Sequence, residues 1–144
     1  MFIIKASERV KELYLKEGYN CAESIWLALN ENDLDKEKLN FGMKLAAVFG
    51  GGLACGSTCG IVGGAALSLG RWLGRDIGKE RNPQLPQYTE AFVNWFDDNY
   101  SSLDCCDIKK VENHKIVCAQ ILADTVDYIE NLLDEGLEEE TCSL

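Results

Sequence analysis

Residues 49–70 read F-G-G-G-L-A-C-G-S-T-C-G-I-V-G-G-A-A-L-S-L-G, a concentration of glycine and cysteine found nowhere else in the chain. Gly50, Gly51 and Gly52 stop a preceding helix, because glycine takes positive φ cheaply. Ser57 or Thr58 can then accept hydrogen bonds from the first free N–H groups of a new helix. Cys59 falls at or near the first position of that helix, where unpaired N–H groups and the helix dipole favour negative charge, so its thiol pKa is expected to fall. Gly56, Gly60 and Gly64 recur every four residues and, in a helix, form one smooth face that a second helix can approach closely. Each such glycine costs about 1 kcal/mol against alanine, and close packing gives a reason for it. The plainer reading of the same stretch is a tight helix pair holding ordinary buried cysteines.

Upstream, residues 3–17 place Ala6, Val10, Leu13 and Tyr14 at spacings of three and four before Gly18, which is an amphipathic helix with its stop. Asn20-Cys21-Ala22-Glu23 has the form of a capping box leading into the stripe Ala22, Ile25, Trp26 and Leu29, which sets Cys21 at a first helical position. Residues 31–39 read as a charged loop, and Asn40 caps a short apolar helix over 41–49. Downstream, the helix of Cys59 continues through Leu67, Leu69, Trp72 and Leu73 to Gly74 or Gly78, and a loop over 75–87 carries Pro83 and Pro86. Tyr88, Phe92, Trp95, Phe96 and Asn99 mark an aromatic-faced helix whose rings belong to a core. Asp104 or Ser102 caps a short helix that starts at Cys105-Cys106. Asn113 caps the last one, periodic from Val117 through Leu133 to Gly136. Residues 137–144 form an acidic tail that carries Cys142 as a mobile thiol.

With 144 residues the chain fits one domain, here residues 1–136, and can bury a core without an obligatory staple. No alternation of strand type appears, so the expected fold is all-α, a single-domain bundle of five or six helices around the glycine-rich, Cys59-bearing helix. Fourteen basic against 24 acidic residues give a formal charge of -10, which makes nucleic acid and anionic membrane poor partners. Residues 45–69 are broken by glycine and polar residues and make a poor membrane span, and residues 1–12 carry no signal-peptide pattern, so membrane insertion is not expected and the expected location is the cytoplasm. Seven cysteines in a reducing compartment point to metal binding or redox work rather than to structural disulfides. No phosphate loop or dinucleotide glycine motif is present.

Cys21, Cys59 and Cys105 are each expected at a helix start, with Cys118 in the first turns of the last helix. Convergence of those ends would make an electropositive site for reactive thiolates, or for anionic ligands to zinc or an iron-sulfur cluster. Spacing alone does not choose: Cys55-x-x-x-Cys59 is neither a redoxin nor a zinc-knuckle motif. His114, the only histidine, lies one turn before Cys118 on the same face and could add a nitrogen ligand; the plainer reading is a half-exposed histidine beside a buried thiol.

The same residues carry a resemblance. Asn20-Cys21-Ala22-Glu23, the F-G-G-G of 49–52, the T-C-G-I-V-G-G-A of 58–65, one of Cys105 and Cys106, and Cys118 resemble the small family named for its C_GCAxxG_C_C cysteine pattern and described as redox-active. The likeness covers nearly the whole chain. Against a family motif read as Cys-Gly-Ala-x-x-Gly, Ile61 stands where alanine is usual, and Cys55 and Cys142 are additional. The resemblance implies a site of Cys21, Cys59, Cys106 and Cys118, with Cys105 as the alternative to Cys106. The leading reading is a thiol-disulfide oxidoreductase or electron-transfer protein, working with a partner reductant or oxidant, in which Cys59 attacks and Cys21 resolves. The same cysteines as ligands to zinc or an iron-sulfur cluster are the alternative, and a helical interaction protein with inert thiols is the third.

Overall fold

Asn20 opens the architecture as its sequence requires. Its Oδ1 accepts from the Glu23 amide at 2.8 Å while Glu23 Oε1 accepts from the Asn20 amide at 2.9 Å, which closes a capping box at the start of α2 (Cys21–Asn30). The computed structural model describes residues 4–137; Cys142 and nearly all of the expected acidic tail lie outside the described residues. Within them the chain is all-α: α1 (Ala6–Leu15), α2, α3 (Lys36–Ala46), α4 (Gly60–Leu73), α5 (Gln84–Tyr100), α6 (Cys105–Ile108) and α7 (His114–Glu135). The expected five or six helices become seven once the single turn of α6 is counted. An isolated bridge between Thr58 and Asp104 is the one strand-like pairing among the described residues.

Two boundaries differ from expectation, each for a local reason. The charged segment before Asn40 is helical from Lys36, because Asp35 rather than Asn40 is the cap and accepts from the Lys38 amide at 2.9 Å. Lysine, glutamate and leucine then propagate the helix well. α5 begins at Gln84, ahead of Pro86, since a proline in the first turn gives up an N–H that had no helical partner.

α4 packs on α2, α3, α5 and α7, while α1 lies along α7 and α2. Val10 and Leu13 of α1, Ile25 of α2, Ile61, Ala65 and Leu69 of α4, Phe92 and Phe96 of α5, and Leu122, Val126 and Ile129 of α7 form one sequestered core. The aromatic face of α5 is core packing, with Trp95 stacked on Tyr128 at 4.3 Å between centroids. Gly60 and Gly64 do face a neighbouring helix closely. A Cβ built on Gly64 would lie 2.7 Å from the Ala22 carbonyl oxygen, so side-chain-free backbone is what lets α2 and α4 touch there. Gly56 does not share that face; it lies before α4, in the loop.

That loop breaks the apolar run 36–56, which by length and composition alone could cross a membrane. A 3-10 turn (Ala47–Phe49) follows α3, and Gly51, Gly52, Leu53 and Ala54 then take positive φ of 65, 63, 58 and 61° in succession. Left-handed leucine and alanine are unfavourable and persist only where the surroundings hold them. Gly52 is required for a second reason, since a Cβ there would sit 2.5 Å from the Cys105 Cβ.

Candidate thiol site

Four helices each contribute one cysteine to a common region of the core. Cys21 is the first residue of α2, held by the capping box and by Asn20 Nδ2, which donates to the Ala47 carbonyl at 3.3 Å. Cys59 is the cap residue of α4. Its amide donates to the Leu103 carbonyl at 2.7 Å, and the Cys105 amide donates to the Ser57 carbonyl at 2.7 Å, on either side of the Thr58–Asp104 bridge. This small antiparallel ladder holds the backbones of Cys59 and Cys105 side by side. Cys118 stands in the second turn of α7, which packs on α1 and α2. Cys59, Cys105 and Cys118 are 3, 6 and 3 % exposed, and Cys21 is half-buried.

Charges and hydrogen bonds connect these sulfurs. The Cys21 and Cys118 thiols influence each other's protonation, the single Tyr14 hydroxyl proton can serve either sulfur, and the charge on Cys59 is felt by Cys21. Cys59 in turn senses Cys105 and Cys118. Cys118 carries the lowered thiol pKa: the Cys21 hydrogen bond, the positive charge of Lys109 and the Tyr14 hydroxyl outweigh burial and bring it to about 7. The proton stays with Cys21, whose value is driven up first by that same hydrogen bond and then by burial. Burial, with the two neighbouring thiol charges, likewise pushes Tyr14 up, so its hydroxyl remains a donor.

Cys59 departs from its expected chemistry. The amides of Ile61 and Val62 at the start of α4 do favour its thiolate, but burial is the larger effect and the charges of Cys105 and Cys118 add to it, so its pKa rises to about 11. A helix start therefore does not activate this thiol; the dry surroundings win. Cys118 has the largest influence on Cys21, and Cys59 acts on it through charge.

The doubled cysteine also resolves. Cys105 is buried against Gly52 and electrostatically coupled to Cys59, while Cys106, the expected member of the set, points outward and is exposed. In the single turn of α6, adjacent residues face 100° apart, so only one of the two can meet the core. Cys55 is exposed in the loop. His114 begins α7 and is half-buried, and among the described residues no three side chains of His, Cys, Asp or Glu are placed to hold one ion. Among the described residues these thiols are thus not grouped around a single ion. Tyr14 and Lys109 are participants that spacing could not reveal. Their only signal was a tyrosine on the buried stripe of α1, because a buried hydroxyl needs a partner.

The family described as "Putative redox-active protein (C_GCAxxG_C_C)" matches residues 19–132. The chain belongs to this family. Neither a curated protein nor a solved structure matches the chain. The family pattern corrects one alignment. Its central block G-C-A-x-x-G, with the cysteine set on Cys59, places Thr58 at the first glycine, Gly60 at the alanine and Gly63 at the closing glycine. The departures are thus Thr58 and Gly60 rather than Ile61. Gly63 fits the requirement, since a Cβ there would stand 2.4 Å from the Phe49 ring.

Proposed function

We propose that the chain is a cytoplasmic thiol-disulfide redox protein whose working groups are the pairs Cys21/Cys118 and Cys59/Cys105. The observation that carries this reading is the interaction of the Cys21 and Cys118 side chains inside the core, with Cys118 favoured as thiolate by Cys21, Lys109 and Tyr14 while Cys21 is held as thiol. A thiolate, and not a thiol, attacks a disulfide, and a thiol with pKa near the ambient pH is the best compromise between ionisation and nucleophilicity. The Cys118 thiolate attacks one sulfur of an incoming small disulfide, R-S-S-R, and displaces RS⁻. Cys21 then attacks the mixed disulfide at the Cys118 sulfur, its proton passes to one departing RS⁻ and solvent protonates the other, and a Cys21–Cys118 disulfide and two RSH result. Two electrons move from the pair to the incoming disulfide. Cys59, whose thiol pKa is raised by burial, forms a second pair with Cys105 and is slower to start an exchange than Cys118.

The test is equilibration of anaerobically purified, reduced protein in glutathione buffers of graded potential, followed by acid quench, alkylation and peptide mapping. Cys21 and Cys118 are expected to lose reactivity together at one midpoint, as a linked peptide. Free thiols at every potential overturn the proposal and leave a helical interaction protein with inert cysteines. One bound zinc or iron-sulfur cluster per chain, lost together with thiol protection, replaces it with the metal reading.

A further inference from the structure

The buried pairs raise a question of access, because three of the four sulfurs are almost wholly covered. Two cysteines outside the buried set, Cys55 and Cys106, are both exposed and lie at one junction. The loop of left-handed residues and α6 are packed face to face there: Gly52 lies against Cys105, and a Cβ added at Gly56 would stand 3.1 Å from the Cys106 Cβ. Cys55 is the residue next to Gly56. The backbone one residue from Cys55 therefore packs on Cys106, and a disulfide, which needs Cβ atoms about 3.8 Å apart, would close by a local rearrangement of the loop that turns Cys55 toward α6. The Cys55 thiol leans back on the Gly52 carbonyl at 3.6 Å, a weak bond that rotation about χ1 releases. Both thiols also continue directly into the buried site: Cys106 adjoins Cys105, and Cys55 lies four residues before Cys59 on the strand of chain that the Thr58–Asp104 bridge fastens to α6.

We propose that Cys55 and Cys106 form a second, surface dithiol that exchanges with a low-molecular-weight organic disulfide and passes the oxidation inward to Cys59 and Cys105. The Cys106 thiolate attacks R-S-S-R and releases RS⁻. Cys55 displaces the second RS⁻ and closes the Cys55–Cys106 disulfide, so that two electrons have gone to the external disulfide, which leaves as two thiols after taking up two protons. In the second step Cys105 or Cys59 attacks that surface disulfide, the inner disulfide closes, and Cys55 and Cys106 recover their protons. Only this second step rests on the buried-thiol reading. The vicinal arrangement has a purpose in this scheme: one cysteine of the doubled pair faces the solvent and its neighbour faces the core.

The experiment is rapid mixing of reduced protein with glutathione disulfide, acid quench at intervals, and peptide mapping of every thiol, in the wild type and in Cys55→Ser, Cys106→Ser and the double variant. Both positions are exposed, and circular dichroism confirms that the variants fold. In the wild type the Cys55–Cys106 linked peptide is expected first, with loss of free Cys59 and Cys105 following it. Cys55→Ser should trap glutathione on Cys106, and the double variant should oxidise Cys59 and Cys105 roughly tenfold more slowly or worse. Inner oxidation at an undiminished rate in the double variant overturns the relay. Absence of any Cys55–Cys106 linkage overturns the surface dithiol itself. A surface linkage that forms while the inner thiols stay reduced upholds the surface dithiol and counts against the buried-pair reading, so the two failures are told apart.

Discussion

Replacing Gly64 by alanine places one methyl group where α2 and α4 touch. The added Cβ would lie 2.3 Å from Ile25 Cγ2, 2.7 Å from the Ala22 carbonyl oxygen and 2.9 Å from the Ala22 Cα. The isoleucine methyl can turn aside, but the Ala22 backbone moves only if α2 moves as a body. Alanine gains about 1 kcal/mol of helix propensity over glycine. Overpacking a close contact costs roughly 1–3 kcal/mol, and contact with backbone puts this site at the upper end. The net expectation is a loss of about 2 kcal/mol, or about 6 °C in Tm for a chain of this size. Gly70, in the same helix, has nothing within 4 Å of its built Cβ, so Gly70→Ala isolates the propensity gain and should add about 1 kcal/mol and about 3 °C. Urea and thermal melts followed by far-ultraviolet circular dichroism measure both. Because α2 also carries Cys21, the displaced helix in Gly64→Ala should weaken the Cys21–Cys118 hydrogen bond and return the Cys118 pKa toward its ordinary value. Equal stabilisation by the two alanines would refute the claim that glycine is there for helix contact.

Alkylation of Cys118 by iodoacetamide should gain rate as pH rises through about 7 and then level off, while Cys59 continues to gain up to about 11, read by peptide mapping across pH; a common midpoint would remove the distinction between the pairs. Tyr14→Phe deletes one hydrogen bond to the thiolate and should raise the Cys118 midpoint by about 1 unit, followed by thiolate absorbance in the ultraviolet; an unmoved midpoint counts against a role for the hydroxyl. Asn20→Ala removes the side-chain cap of α2 and should cost about 1 kcal/mol in a urea melt, with no loss expected only if the capping box contributes nothing. Cys105→Ser should abolish formation of an inner disulfide with Cys59, whereas Cys106→Ser should leave the inner pair able to close under a small neutral oxidant; the reverse pattern would exchange their assignments.

The helices were legible because their signals are local. Asn20 and Glu23 close a box within one turn, Gly18 and Gly136 mark stops by positive φ, and the buried stripe of the last helix repeats from Cys118 to Leu132. Asp35 was missed as a cap because the charged residues around it resemble a loop, although lysine and glutamate also suit a helix once one is begun. That Cys21 and Cys59 stand at helix starts and Cys118 in the early turns of the last helix was legible from local capping signals. Their ionisation was not. Helix dipoles can be read from sequence, but burial depends on every element that closes over a sulfur, and at Cys59 burial decides the sign. Likewise, nothing in C-C distinguishes Cys105 from Cys106 until the loop at Gly52 packs on α6, and Lys109 reaches Cys118 only through the tertiary fold.

The four inner cysteines come from four separate helices, and that dispersal ties oxidation state to the mechanical coherence of the chain. A bond between Cys21 and Cys118 closes a loop of roughly 100 residues, and loop-closure entropy in the unfolded chain would then favour the folded form by about 4.7 kcal/mol. Since about 1.4 kcal/mol corresponds to 30 mV for a two-electron couple, such a tie would draw the potential of the pair down by about 100 mV relative to the same two thiols in an unfolded chain. Under the proposed exchange the bundle would be its own tuning element: whatever tightens the seam where α1 and α2 meet α7 would make the pair a better electron donor, and whatever loosens it would make its disulfide easier to reduce.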